Sequence, residues 1–152
     1  MKNINAKHYT ETIIYSTDRI LKSLKSVLTQ YINNLDIGIT AEQYTVLDTI
    51  YCNPDICQRE LSKILLKDKS NTTRILKVLE NAHLITRKAT KRNNRLINSL
   101  KITTNGKKII DDNMKYIKDF LTQMFKNISD DEIDNFHKLL TKINNDLVFN
   151  IV

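Results

Sequence analysis

The sequence predicts a mainly α-helical domain with one small β-hairpin. Three observations carry this expectation. Only two Gly and one Pro punctuate 152 residues, so long uninterrupted elements, chiefly helices, are expected. Apolar side chains recur at steps of three and four through most of the chain, the period of a helix with one buried face. One stretch, Lys67 to Arg95, ends in two short strand-like runs around a basic turn, and it holds all of the excess positive charge. Its nine bases face two acids, a net of +7, while the rest of the chain balances at 15 bases against 15 acids. Charge confined in this way is the footprint of a surface that meets a polyanion.

Each element has its own signal. From about Ala6 to Asn33, apolar residues at Ile13, Ile20, Leu24, Val27, Leu28, Tyr31 and Ile32 define a long amphipathic helix. Gly38 breaks it. Thr40 and Gln43 form a capping-box start for a helix carrying Leu47 and Ile50, and Asn53-Pro54-Asp55 is its stop. Cys57 and Glu60 take the cap and third positions of a short helix with Leu61, Ile64 and Leu65 inward. Cys52 is expected to pack at the end of the helix before it. Asp68 caps a further helix, about Lys69 to Ala82, whose inward face is Ile75, Leu76, Leu79 and Ala82. His83 is assigned the left-handed position that ends it. Ile85–Thr90 and Leu96–Ile102 are strands separated by Lys91-Arg92-Asn93-Asn94-Arg95; the second loses strict alternation, which predicts a bulge or a looser tip. Thr103 caps a long helix to about Asn127, and Ser129-Asp130-Asp131-Glu132 opens a last one with acids in its first turn.

Composition excludes several classes. The N-terminal residues lack an apolar core, so no signal peptide is expected, and no run nears the roughly 18 apolar residues of a membrane span. A soluble, cytoplasmic protein without membrane contact is expected. Cys52 and Cys57 are too few for a disulfide framework or a four-ligand zinc site, and His8, His83 and His137 are scattered, so neither a metal nor a cofactor is expected. No phosphate-cradling glycine loop or nucleophilic triad occurs, and nothing points to an enzyme.

Two short helices, the second opening with small polar side chains, make a helix-turn-helix, with the hairpin as a wing. On the second helix Lys69, Ser70, Asn71, Thr73, Arg74 and Lys77 lie on or near the polar side. Arg can pair with guanine O6/N7, Asn with adenine N6/N7, and hydroxyls with phosphates or bases. Lys91, Arg92 and Arg95, with Asn94 between them, suit phosphate or minor-groove contact; Gln58 and Arg59 open the preceding helix and suit a phosphate. Cys57, a thiol at a helix N-terminus, is the one candidate for redox chemistry, set against a plain substitute for Ser or Thr as a cap. The apolar stripes of the terminal helices exceed what one lobe covers, which predicts a two-fold homodimer suited to palindromic double-stranded DNA.

The element order resembles the MarR (multiple antibiotic resistance regulator) family of winged helix-turn-helix transcription factors. The resemblance rests on Thr40-Ala41-Glu42-Gln43-Tyr44 with Val46-Leu47, then Glu60-Leu61-Ser62 and Asp68-Lys69-Ser70-Asn71-Thr72-Thr73-Arg74. It continues through Leu79-Glu80, Leu84-Ile85-Thr86-Arg87 and Ile102-Thr103-Thr104-Asn105-Gly106. It implies a homodimer with interlocking terminal helices, a recognition helix in the major groove, a wing near the minor groove, and repression. The family's Asp-x-Arg wing is matched by Asn93-Asn94-Arg95, and its glycine after the recognition helix by His83. The cysteine with which some relatives sense oxidants in the first helix has no counterpart here. Relatives that bind aromatic acids between the dimer helices and the lobe make Tyr15, Arg19 and Tyr44 candidates for a pocket taking a small aromatic or anionic effector.

The expectation is therefore one winged-helix domain over residues 1–152, with dimerisation helices at 1–35 and 104–152 and a DNA-binding lobe at 40–103. Its function would be sequence-specific regulation of transcription from a pseudo-palindromic operator. The rival is a winged-helix interaction module that docks an acidic protein through the same basic face.

Overall fold

The computed structural model describes residues 8–92 and 95–150, with side chains at 8–91 and 97–146. A short 3-10 turn, Tyr9–Glu11, leads into α1 (Ile13–Asn34), followed by α2 (Ala41–Cys52), α3 (Gln58–Ile64) and α4 (Lys69–Asn81). The hairpin β1 (Ile85–Arg92) and β2 (Arg95–Ile102) precedes α5 (Thr104–Met124) and α6 (Asp130–Asn150). This is the mainly α, winged helix-turn-helix architecture expected. The chain divides into two compact units, with the boundary between Asn113 and Met114, inside α5.

Local chemistry sets the element boundaries. α1 starts at Ile13, the first residue of its apolar stripe, and not at about Ala6 as expected, because Thr12 is extended and its hydroxyl accepts from Tyr15 N at 3.3 Å. Thr40 and Gln43 form the reciprocal capping box, with Gln43 Oε1 accepting from Thr40 N at 3.0 Å. Asp68 Oδ1 accepts from Asn71 N at 2.7 Å and fixes the start of α4. His83 (φ 56) takes the left-handed position after α4, as expected. Thr103 Oγ1 accepts from Gly106 N at 3.1 Å while its proton serves His83 O at 2.8 Å, stitching α5 to the end of α4.

In the unit up to Asn113, the core lies under the helix-turn-helix: Val46, Leu47, Leu61, Ile75, Leu76, Leu79, Ile85 and Leu100 are at most 1% exposed. At its C-terminal end α1 packs on α2 through buried Ile32, and Asn33 Oδ1 accepts from Ala41 N at 3.1 Å. α5 reaches the hairpin through Gly106. A Cβ there would lie 2.2 Å from Leu84 O, so only glycine permits this approach.

Several expectations are corrected. The hairpin has no bulge: pairing runs unbroken from Ile85↔Ile102 to Arg92↔Arg95, so the strands reach further toward the turn than expected, leaving only Asn93 and Asn94, outside the described residues. Alternation fails in β2 for another reason. Cys57 bridges to Ser99, and Leu100 N donates to Ile56 O at 2.8 Å, so β2 is covered on its second edge. Ser99 is thereby buried, and its hydroxyl donates to Lys88 O at 3.1 Å. Ile64, placed inward by period, is 54% exposed because α3 ends there after only seven residues. Ala82 is exposed as the C-cap of α4, and Cys52 is exposed at the last position of α2.

The second unit, from Met114, carries an apolar stripe on α6 that stays in solvent: Ile133, Phe136, Leu139, Leu140 and Ile143 are all exposed. In the first unit, Ile13, Ile20 and Val27 of α1 are exposed too.

Candidate nucleic-acid interface

α4 presents two opposite faces. Thr72, Ile75, Leu76 and Leu79 are buried, whereas Lys69, Ser70, Thr73, Arg74 and Lys77 are exposed. Thr72 ties α4 to α3. Its hydroxyl donates to Asp68 O at 2.8 Å and accepts from Ser62 Oγ of α3 at 3.0 Å. Period alone gives no signal for this residue, since a threonine is as much at home on the polar face.

A second polar chain joins α3, α4 and the hairpin. Gln58 Nε2 donates to Thr73 Oγ1 at 2.7 Å, and Gln58 Oε1 accepts from Arg87 Nη1 at 3.2 Å. Arg87 Nε in turn donates to Glu80 Oε2 at 3.1 Å. Gln58 is therefore half-buried and engaged, and Arg87, one of the nine bases of the basic stretch, is held in an ion pair. Arg59 stands exposed in the first turn of α3. Between these elements lies a recess of about 590 Å³ lined by Gln58 and four cations, Arg59, Lys63, Lys69 and Arg87.

Glu42, from the first turn of α2, reaches the same surface, and nothing in the linear sequence links it to positions 67–74. Its carboxylate accepts from Lys67 Nζ at 2.7 Å, and Arg74 Nη2 lies 3.6 Å away. The Lys67 hydrogen bond holds the Glu42 carboxyl below its ordinary pKa, against a smaller opposing effect of burial. Asn71, half-buried, donates its Nδ2 toward the same carboxylate at 3.5 Å. Lys67 and Arg87 are paired to Glu42 and Glu80, and Arg74 lies within ion-pair range of Glu42; the further exposed cations of these elements are Arg59, Lys63, Lys69, Lys77, Lys88 and Lys91. Arg92 and Arg95 pair across the hairpin end, their side chains lying outside the described residues with Asn94.

Cys57 is half-buried, and its N–H donates to Glu60 Oε2 at 2.9 Å, a capping role. Among the described residues no cluster of His, Cys, Asp or Glu could hold a metal ion, and no helix is long and apolar enough to cross a membrane.

The expected pocket trio is divided. Tyr15 and Arg19 line one recess of about 480 Å³ along α1, with Ile20 and Leu24. Tyr44 is not among its lining residues: it is buried in the lobe, and desolvation together with nearby Asp48 pushes its hydroxyl up to about 12.

Similarity to known proteins follows the same surface. The MarR family model matches residues 39–97, from the start of α2 into β2. Over 112 residues the chain is 30% identical to YdgJ of Bacillus subtilis (strain 168), described as an uncharacterized HTH-type transcriptional regulator, covering 71% of this chain and 68% of that protein. A mutant MarR from E. coli, solved with operator DNA, matches at TM-score 0.72 and 28% identity over 91% of this chain and 99% of that one. The S. aureus MepR–DNA complex shares the fold at TM-score 0.74 and 22% identity, over 92% and 99% of the two chains.

Proposed function

This chain belongs to the MarR family of transcriptional regulators, and on that premise we propose that it binds double-stranded DNA as a homodimer and represses from a pseudo-palindromic operator. The observation that carries this is α4 itself. One face is locked into the core, and the other offers Lys69, Ser70, Thr73, Arg74 and Lys77 to solvent on a rigid support. A helix so mounted enters a major groove already ordered, with no further entropy to lose in its backbone. The E. coli relative solved with operator DNA supports the same use.

Arg74, 67% exposed at its side chain, is the base reader, with a planar fork suited to guanine O6/N7. Ser70, Lys69 and Lys77 flank it toward bases or phosphates, while the Thr73 hydroxyl, donating to Lys69 O and accepting from Gln58, adds its methyl group to the face. Arg59, with Gln58 behind it, and Lys91, Arg92, Asn94 and Arg95 of the wing hold the backbone or the minor groove. The exposed apolar stripes of α1 and α6 support a dimer, since an isolated chain would leave a large greasy surface in water. In the recess on α1, Tyr15 and Arg19 set an aromatic wall beside a cation, which suits a small aromatic acid as effector. The protein acts in the cytoplasm, where its DNA is, and no catalytic step is assigned to it.

Competition titrations on a duplex selected from a random pool, against a scrambled duplex at several salt concentrations, test this. Arg74→Ala should lose roughly 1–3 kcal/mol on the selected duplex and relax one position per half-site. Arg92→Ala and Arg95→Ala should weaken both duplexes alike and flatten the log-affinity against log-salt slope by about one unit for each phosphate no longer neutralised. Wild type that binds no duplex, but captures acidic protein through this face, would replace DNA with the rival partner.

A further inference from the structure

Glu42 gathers three side chains of the helix-turn-helix onto one carboxylate. Its Oε1 accepts from Lys67 Nζ at 2.7 Å and from Asn71 Nδ2 at 3.5 Å, and its Oε2 faces Arg74 Nη2 at 3.6 Å. Arg74 Nη2 also donates to Asn71 Oδ1 at 3.0 Å. The amide of Asn71 is thus used at both ends: its donor points to Glu42 and its acceptor to Arg74. An asparagine that reads adenine needs that same donor and acceptor turned outward to N7 and N6. Arg74, in contrast, donates through Nη2 alone in these contacts, which leaves the other edge of its guanidinium for a ligand.

Building on the DNA-reading role proposed above, we propose that Glu42 is a specificity-determining positioning residue. It brackets Asn71 and Arg74 so that Arg74 meets a base edge in one orientation, and its charge weakens the pull of this face on phosphates in general. Two physical consequences follow. A flexible arginine finds phosphate as easily as guanine, because phosphates outnumber any one base edge; a bracketed arginine is already oriented and loses less entropy when it pairs with a base. Non-specific binding rises with every unopposed cation, whereas base discrimination depends on geometry. An anion set behind the reader therefore weakens binding to random duplex more than to operator. Within the bracket Asn71 is a spacer between Glu42 and Arg74 and reads no base.

The test is Glu42→Gln, which keeps size and removes charge, beside Asp55→Asn, which removes the same charge from a pair with Lys101 that includes no residue of α4. Both dimers, checked as folded by thermal melting, are titrated on selected and scrambled duplex at several salt concentrations. Glu42→Gln should bind scrambled duplex several-fold more tightly, with a salt slope steeper by up to about 0.9, the increment for one additional phosphate neutralised. It should bind selected duplex no more tightly, so the selected-to-scrambled ratio falls several-fold or more, the size of effect expected of one base contact. Asp55→Asn should leave that ratio unchanged. An equal rise in affinity for both duplexes, or an unchanged ratio, overturns the inference, because Glu42 would then be only one more charge. Asn71→Ala checks the bracket from its other side even if Glu42→Gln folds poorly. The ratio should fall and only the position read by Arg74 should relax; loss of preference at a separate base would make Asn71 a reader and refute its role as spacer. Wild type that binds no duplex would refute the DNA function itself, whereas wild type that discriminates normally beside an unaltered Glu42→Gln refutes the bracket alone.

Discussion

Gly106→Ala sets two physical effects against each other at one atom. In a helix, alanine is favoured over glycine by about 1 kcal/mol, so propensity alone predicts a more stable protein. Gly106, however, lies against the hairpin, where the added Cβ would come within 2.2 Å of Leu84 O and 2.8 Å of Ile102 Cγ1. The isoleucine methylene can swing aside. The carbonyl cannot, because Thr103 N donates to it at 3.0 Å and the Thr103 hydroxyl lies 3.1 Å from it. Relief requires α5 to retreat by about 1 Å, since unstrained heavy-atom contacts lie near 3.5 Å. Overpacking of this kind costs roughly 1–3 kcal/mol, and loss of a hydrogen bond adds about 1. After subtracting the propensity gain, a net loss of about 1–3 kcal/mol remains. For a chain of this size that lowers Tm by roughly 2–12 °C. The assay is thermal unfolding followed by circular dichroism at one fixed protomer concentration, because dimerisation would otherwise shift Tm. Gly38→Ala is the contrast: nothing lies within 4 Å of its Cβ, and only its φ of 75° resists the change. An equal or higher Tm for Gly106→Ala would refute the close approach of α5 to Leu84.

Three further outcomes are expected. Leu140→Asp puts a charge into the exposed stripe of α6 and should weaken the dimer by roughly a hundredfold or more, read by light scattering or sedimentation; an unaffected dimer would place the interface elsewhere. Burial raises the Asp48 carboxyl above its ordinary pKa, so the folded state favours its protonated form. Stability from this group should therefore grow as pH falls from neutrality through its folded pKa, and Asp48→Asn should raise Tm at pH 7 and flatten that gain; a lowered Tm would reveal a favourable role for the charge. Cys57→Ser should keep DNA binding with and without peroxide, since Cys57 serves as a cap bonded to Glu60; an oxidant-dependent loss that vanishes only in this variant would make the thiol a sensor.

The features legible in the sequence are those that short-range chemistry decides. Thr40, Asp68 and Ser129 announce helix starts because a cap needs only a side-chain oxygen and the next turn's N–H groups, all within four residues. His83 is legible because the chain must turn there whatever surrounds it. The misplaced residues depend on partners far along the chain. Ser99 is buried by Cys57, 42 positions earlier, and a two-residue periodicity carries no trace of that third segment. Ile64 sits at the right helical phase but on a helix too short to cover it. At the site, the exposed cations of α4 and β1 follow from charge and period. Glu42, Glu80 and Arg87, which decide how many of those charges stay free, are joined only by tertiary contacts. Counting charge from Lys67 to Arg95 already sets Glu80 against the bases but leaves out Glu42, and so overstates by that one charge the field that a polyanion would meet.

The hairpin also answers a problem of self-association. β2 lies between β1 and the Ile56–Cys57 segment, whereas β1 has no second neighbour among the described residues, so its outer rim of N–H and C=O groups is open to any passing strand. Its sequence, Ile-Thr-Arg-Lys-Ala-Thr-Lys-Arg, places like charges along that rim. Two such edges approaching one another bring cation against cation before any ladder can form, which is how exposed strands avoid templating aggregates. The basic wing is thus kept apart from its own kind by the charge that would draw it to a polyanion, and a wing neutralised to loosen its hold on one partner would become adhesive toward another copy of itself.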